Sequence, residues 1–415
     1  MLPPMATNFP VFDNIFGLDA EDAIVKSGVR DIFTPHQPIS DVDLLLGRQK
    51  EVKKLVQTLN TPGQHVLLYG ERGVGKSSLA NIVTTILRLL IQREIYVKRC
   101  DRADTFESIL RGPLVSVGGD LTLTSASEET TGNAAVDLKI ASGGAGKTYT
   151  GNYAVSNSIS PSTVAELIHD VVGLLVIDEV DAIADPNERR KLAELIKLLS
   201  DAGSSFKVLI VGIAETGSEL TAAHPSVQRC LKETKLGRMS VTELKQVVIK
   251  GSEKAGLNFT PKVIAAIASL SAGYPHFTHL IALKCAEMAV AEERTDIREV
   301  HLNDALELAV EDAEGTLKQD YDRATRSTGT EMYRNIVIAA ASMKSEEFTS
   351  ATLREEIHSL TGEPISQGSL NNFLKRLLSD DGASILRRVS KGMYRFSDPR
   401  MASFARIANV LVEEK

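Results

Sequence analysis

The sequence contains no tryptophan, and aromatic residues make up only 5% of its 415 positions. A broad aromatic platform for stacking bases is therefore excluded. Cysteine is nearly as scarce: Cys100, Cys230 and Cys285 are odd in number and show no C-x-x-C spacing. They provide neither a disulfide framework nor a cysteine zinc site. No apolar run approaches the roughly 18 residues that a membrane span needs. The opening MLPPMATNFP has no basic stretch followed by an apolar one, so it does not read as a secretory signal. Excess positive charge is missing too. A net charge of −7 argues against a chain coated in nucleic acid, while leaving room for one basic patch. These absences predict a soluble, cytoplasmic protein that does not engage a membrane.

What is present has globular proportions. With 43% hydrophobic and 24% charged residues, the chain is neither disordered nor fibrous. At roughly 150 residues per domain, its length predicts two or three domains. Residues 1–40 carry Pro3, Pro4, Pro10, Pro35 and Pro38 and read as an arm with one short helix near Asp19–Lys26. Residues 41–240 alternate short aliphatic strands (His65–Tyr69, Glu94–Lys98, Leu174–Ile177, Lys207–Ile213) with amphipathic helices, the rhythm of an α/β domain. Within it, residues 118–160 turn rich in Gly, Ser, Thr and Asn. Val136–Ile140 and Thr148–Val155 alternate with period two, as an inserted β-hairpin with flexible flanks would, and plain disorder is the alternative for residues 118–134. Residues 241–325 are helical throughout. Residues 326–415 place three short helices before a glycine-turned hairpin, the outline of a winged helix.

The strongest local signal is Gly70–Ser77, GERGVGKS, which fits G-x-x-x-x-G-K-[ST] at every fixed position. A strand precedes it and a helix follows, as phosphate binding requires. Glycines let backbone N–H groups turn inward around phosphate oxygens, and the helix N-terminus adds partial positive charge. Gly70, Gly73, Val74, Gly75, Ser77 and Ser78 would line the nucleotide, with Lys76 on the β- and γ-phosphates and the Ser77 hydroxyl on Mg²⁺. A second match, Ala141–Thr148, has Ala in place of the first Gly and a strand-like run after Lys147, so it reads as the hairpin turn. About a hundred residues after Lys76, four aliphatics run into Asp178 and Glu179. A buried parallel strand would deliver both acids to its C-terminal edge. Asp178 would hold Mg²⁺ through water, and Glu179 would orient and polarise the attacking water.

With these residues, the chain over about 30–400 resembles the AAA+ ATPases, most of all the origin-recognition and STAND-type members with a C-terminal winged helix. The resemblance implies an α/β P-loop core, a helical lid and Mg²⁺-dependent ATP hydrolysis. Arg48 and Glu51 resemble the G-R-x-x-E segment that lies near adenine in these families. Lys207–Thr216 resembles the strand ending in the sensor-1 residue, here Thr216 or Glu215. Arg229 sits where the family carries an arginine finger that completes a neighbouring subunit's site; Arg238 is a second candidate, and a surface helix arginine is the alternative for Arg229. The segment Gly273–His279 resembles the start of the third lid helix, with His276 in place of the sensor-2 arginine. His276 and His279 lack a third metal ligand and read as residues facing nucleotide or core.

Residues 334–415 carry 12 Lys and Arg against 10 Asp and Glu, and Lys375, Arg376, Arg387, Arg388, Lys391 and Arg395 cluster in the third helix and wing. That is where DNA phosphates would be held, although winged helices also dock proteins. The expectation is an ATPase that self-assembles and switches a partner protein. The alternatives are a DNA-associated initiator, loader or transposition-type ATPase, and a nucleotide-binding scaffold that scarcely hydrolyses.

Overall fold

The computed structural model describes residues 23–38, 48–91, 94–117, 159–213, 220, 226–313, 315–343 and 345–413. The inserted segment with Lys147, and Glu215 and Thr216, lie outside the described residues. Contacts divide the chain into two units. One comprises Ser40–Glu71 and Lys76–Gly237; the other comprises Met1–Ile39, Arg72–Gly75 and Arg238–Lys415. Two short helices, α1 (Ala23–Ser27) and α2 (Val29–Ile32), begin the described chain and belong to the second unit.

The first unit is built on a parallel sheet. Its elements in order are α3 (Gln49–Leu59), β1 (His65–Gly70), α4 (Lys76–Ile91), β2 (Glu94–Arg99), α5 (Phe106–Ser116), α6 (Pro161–Ile168), β3 (Gly173–Asp178), α7 (Pro186–Asp201), β4 (Phe206–Gly212), α8 (Val227–Cys230) and β5 (Leu231–Leu236). The strand order is β2-β3-β4-β1-β5, with every pairing parallel. This is the P-loop NTPase sheet, in which β4 separates the glycine-loop strand from the acidic one. β3 is buried along its whole length, as a strand covered on both faces must be. Leu67, Leu175, Ile177, Val208 and Ile210 from the strands share one core with Ile109, Leu192 and Ile196 from the helices. Because all strands run the same way, β1 and β3 end on the same sheet edge, where ligands bind in open α/β sheets.

Helix starts in this unit follow their capping residues. Ser160 caps α6 and Asp185 caps α7, each with proline at the first helical position. α5 runs past Leu110, through Pro113, to Ser116. Its start is held by the Thr105–Ser108 capping box and by buried Glu188, whose carboxylate accepts from the Phe106 N–H at 2.6 Å. His65 is buried in β1, where its Nδ1 accepts the Val208 N–H at 3.0 Å. Burial, with Lys207 nearby, pushes its pKa down to about 3.

In the second unit, α9 (Val241–Ala255) opens on the Ser240–Glu243 capping box and closes at Gly256 in the left-handed region. It is followed by β6 (Asn258–Phe259), α10 (Pro261–Leu270), α11 (Pro275–Ala291), β7 (Asp296–Ile297), α12 (Leu302–Asp312) and α13 (Gly315–Thr325). The hydrophobic pattern predicts one helix over Leu302–Leu317. It breaks at Ala313, whose φ of −61° and ψ of 150° are extended. The remaining elements are α14 (Met332–Ser342), β8 (Phe348–Thr349), α15 (Ser350–Thr361), α16 (Gln367–Leu377), β9 (Leu386–Ser390), β10 (Met393–Phe396) and α17 (Met401–Glu413). β10 lies between β8 and β9, antiparallel to both.

The N-terminal segment is bound into this unit by its own side chains. Phe33 is fully buried, with Phe259 and His279 each 6.2 Å from its ring centre. It fills the space left by Gly251, where a Cβ would overlap the ring. Arg30 pairs with Glu287 at 2.7 Å. Among the described residues, no helix is long and apolar enough to cross a membrane.

Candidate phosphate-binding site

β1 ends at Gly70 and α4 starts at Lys76, so the intervening loop leads straight into a helix N-terminus. Gly73 and Gly75 have φ of +83° and +93°, which L side chains rarely adopt. Space restricts Gly73 as well. Within the second unit, a Cβ there would lie 3.1 Å from Arg400 Cδ and 3.5 Å from Tyr274 Cδ1. Val74 is buried, while Ser77 and Ser78 are half-buried in the first turn of α4. Lys76 Nζ donates to the carbonyls of Gly70 at 3.0 Å and Glu71 at 2.9 Å, so the ammonium already closes back onto its loop.

On the same edge, β3 delivers Asp178, which is only 7% exposed. Its Oδ1 accepts the Glu179 N–H at 3.0 Å. Glu179 has φ 58° and ψ 39° and opens a single 3₁₀ turn, Val180–Ala182. A glutamate in the left-handed region is uncommon and is held there only by its surroundings. The turn brings the Glu179 carboxylate out beyond the strand end, half-exposed.

Arg99 was not singled out by the sequence pattern. It is the last residue of β2 and the register partner of Asp178. Its guanidinium lies 3.8 Å from Asp178 Oδ2 and 3.9 Å from Glu179 Oε2. The available signal was the charged end of that strand, Lys98-Arg99, which acquires meaning only once β2 is known to neighbour β3.

Ser77 and Asp178 supply two hard oxygen donors, one of them anionic. Among the described residues, no group of three or more His, Cys, Asp or Glu is arranged to hold a metal alone. That donor set fits Mg²⁺, which takes one or two protein oxygens and completes its octahedron with phosphates and water.

Other residues expected at the site have defined surroundings. Arg48 is buried; its Nη2 donates to the Gly237 carbonyl at 2.7 Å and its Nη1 reaches Glu51 at 3.5 Å, bracing the chain just after β5. Arg229 is exposed at the end of α8, and its carbonyl accepts from Gln64 Nε2 at 2.7 Å. Because His65 pairs with Leu231, Arg229 stands at the sheet edge opposite Gly70 and Asp178. In the second unit, His276 Nδ1 bonds the Pro35 carbonyl at 2.9 Å. His279 is buried, and its Nδ1 accepts the Thr34 N–H at 3.2 Å. Burial, with His276 nearby, pushes the His279 pKa down to about 4. Arg238 lies 4.7 Å above the Tyr274 ring and pairs with Glu346 at 3.2 Å. Arg376 donates to the carbonyls of Arg323 and Arg326 and covers the Tyr333 ring, so its role is internal. Lys375, Arg387, Arg388 and Lys391 are exposed.

Comparison with known proteins is consistent with this geometry. The family model described as novel STAND NTPase 1 matches residues 36–282. Among solved structures, the Walker-type ATPase PabY2304 of Pyrococcus abyssi is 16% identical with a TM-score of 0.51, covering 90% of this chain and 99% of that one. The ORC2 protein of Aeropyrum pernix, solved in ADPNP–ADP complexes, is 15% identical with a TM-score of 0.52, covering 93% of this chain and 98% of that one. At such identities the likeness establishes the fold. No curated protein matched the sequence.

Proposed function

Because the chain belongs to the novel STAND NTPase 1 family, we propose that it binds ATP with Mg²⁺ and hydrolyses it, acting in the cytoplasm as a self-assembling switch on a partner protein. The observation that carries this reading is the shared sheet edge: β1 ends at the lysine-bearing loop and β3 ends at Asp178 and Glu179. Gly70–Ser78 wraps the phosphates with backbone N–H groups, and Lys76 exchanges its loop carbonyls for β- and γ-phosphate oxygens. Ser77 and Asp178 would hold magnesium, which supplies charge neutralisation across the β- and γ-phosphates when bound. Glu179 orients the attacking water and takes up its proton. His276, near the start of α11, and Arg229, from a neighbouring copy, are the proposed further contacts to the phosphates. Residues 241–325 are read as the lid and 326–415 as a winged helix.

ATP binding and turnover test the assignment directly. Lys76→Ala should abolish binding, because it removes the ammonium that faces the phosphates. Glu179→Gln should leave ATP bound and unhydrolysed, because the amide keeps the shape and loses the charge. Normal affinity in the first variant, or turnover within about twofold of wild type in the second, would refute these roles.

A second reading, DNA contact, is favoured by one observation. Lys375, Arg387, Arg388 and Lys391 are exposed on α16, β9 and the following turn, as phosphate contacts in a winged helix would be. Turnover stimulated by DNA, with steep salt dependence, would support it.

A further inference from the structure

We infer that Arg99 competes with the metal's charge for Asp178 and Glu179, and so sets the magnesium level at which the site loads. This rests on the proposed nucleotide reading.

The argument begins with the register. Arg99 and Asp178 are partners at the ends of adjacent parallel strands, so the arginine is carried to the acids by the sheet itself. Asp178 and Glu179 are consecutive, and Asp178 is largely removed from water. Two neighbouring carboxylates, one of them buried, need a compensating cation. The guanidinium supplies it, within 4 Å of both acids. The adjacent Lys98 is engaged elsewhere, pairing with Asp104 at 2.6 Å.

Arg99 is 56% exposed at the end of an edge strand, so its side chain can leave without disturbing the core. It must leave when a dication binds Asp178. The metal would then stand a few ångströms from a guanidinium already drawn to the same oxygens. At the screening expected of a half-exposed site, that competition amounts to about a tenfold change in metal affinity. As Arg99 departs, Glu179 loses its guanidinium partner and becomes available to water. Arg99 is thus a positioning residue whose displacement links metal arrival to release of the water-orienting acid.

The test measures binding of a fluorescent ATP analogue to the full chain against free Mg²⁺, for wild type, Arg99→Ala, Arg99→Gln and Arg99→Lys. The two neutral variants should reach half-maximal binding at about tenfold lower Mg²⁺, and Arg99→Lys should stay within about twofold of wild type. The difference should shrink at about 0.5 M salt, where exposed charges are screened. Thermal melts of all four proteins taken with excess Mg²⁺ and nucleotide should agree, since the metal then compensates the acids and the side chain is not part of the core. An unchanged or raised magnesium requirement in both neutral variants overturns the inference while leaving the nucleotide site intact. If wild type shows no magnesium-dependent binding, the nucleotide reading itself fails, and this inference fails with it.

Discussion

Arg229→Ala is the most informative single change, because the sheet register separates its possible roles. β1 and β5 pair from His65↔Leu231 to Gly70↔Leu236. Arg229 lies two residues before the first pair. Five strand steps at about 3.3 Å each put Leu231 about 17 Å along the sheet from Gly70, and Arg229 lies beyond it in the short helix α8. An arginine side chain spans only a fraction of that distance, so Arg229 cannot serve the phosphate site of its own chain. If it acts in catalysis, it acts on a neighbouring copy. Removing an arginine that stabilises the transferring phosphoryl typically costs 10³- to 10⁵-fold in rate, or about 4–7 kcal/mol of barrier. Arg229→Ala should therefore keep ATP affinity within about twofold and lose turnover by about 10³-fold or more. Wild-type turnover per molecule should rise with protein concentration. Mixing Arg229→Ala with Glu179→Gln adds a stringent arm. Each variant retains an intact phosphate loop, so each can bind ATP and assemble, and the mixture should regain activity that neither shows alone. Wild-type turnover independent of concentration, together with full activity in Arg229→Ala, would refute assembly through this residue and leave it a surface arginine.

Other predictions concern the second unit and acid stability. Phe33→Ala should destabilise that unit by about 3–5 kcal/mol, read by urea unfolding, because a fully buried ring leaves a cavity between Gly251, Phe259 and His279. Gly251→Ala should cost about 1–3 kcal/mol by overpacking the same site, and the smaller ring-free pair Gly251→Ala/Phe33→Leu should be less unstable than the two single effects summed. His65 and His279 are held below the ordinary histidine value of about 6.5, at about 3 and about 4. Between those values and 6.5 the unfolded chain binds protons that the folded chain refuses. Stability should thus fall as pH drops from about 6.5 toward 4, by about 3 kcal/mol for His279. His279→Asn, which keeps an acceptor for the Thr34 N–H, should flatten the acid slope of the unfolding midpoint; an unchanged slope would show that the ring is not the group titrating.

Four of the five strands were legible because their signals are local and redundant; β5, LKETKL with its charged residues exposed, offers no aliphatic run to read. Each aliphatic run is bounded by turn residues, and the glycine loop and the Asp178–Glu179 pair identify two strand ends by their chemistry. The hydrophobic pattern starts two helices at Val164 and Glu188, whereas the capping residue and following proline at Ser160–Pro161 and Asp185–Pro186 start them two to three residues earlier. Arg99 was not legible, because its meaning depends on β2 lying beside β3, a long-range pairing that no local pattern encodes. The same holds for Arg238 and Arg376. Both have the composition of functional arginines, yet tertiary structure commits one to Tyr274 and Glu346 and the other to two carbonyls and Tyr333. The helix α17 does carry a local signal, since Met401, Phe404, Ala405 and Ile407 recur on one helical face and are buried, but it stands beyond the three-helix and hairpin outline of a winged helix.

The insertion of Phe33 against Gly251 bears on how this protein can be dissected. Its chain enters the C-terminal unit first, leaves it, returns for Arg72–Gly75, leaves again and comes back at Arg238. A fragment begun at residue 238 would therefore lack the aromatic plug and the Thr34 and Pro35 contacts to His279 and His276. It would present an open apolar notch at Gly251 and two histidines stripped of their backbone partners. Such a fragment should be aggregation-prone when expressed alone, and adding residues 23–38 in trans as a peptide should protect it from proteolysis.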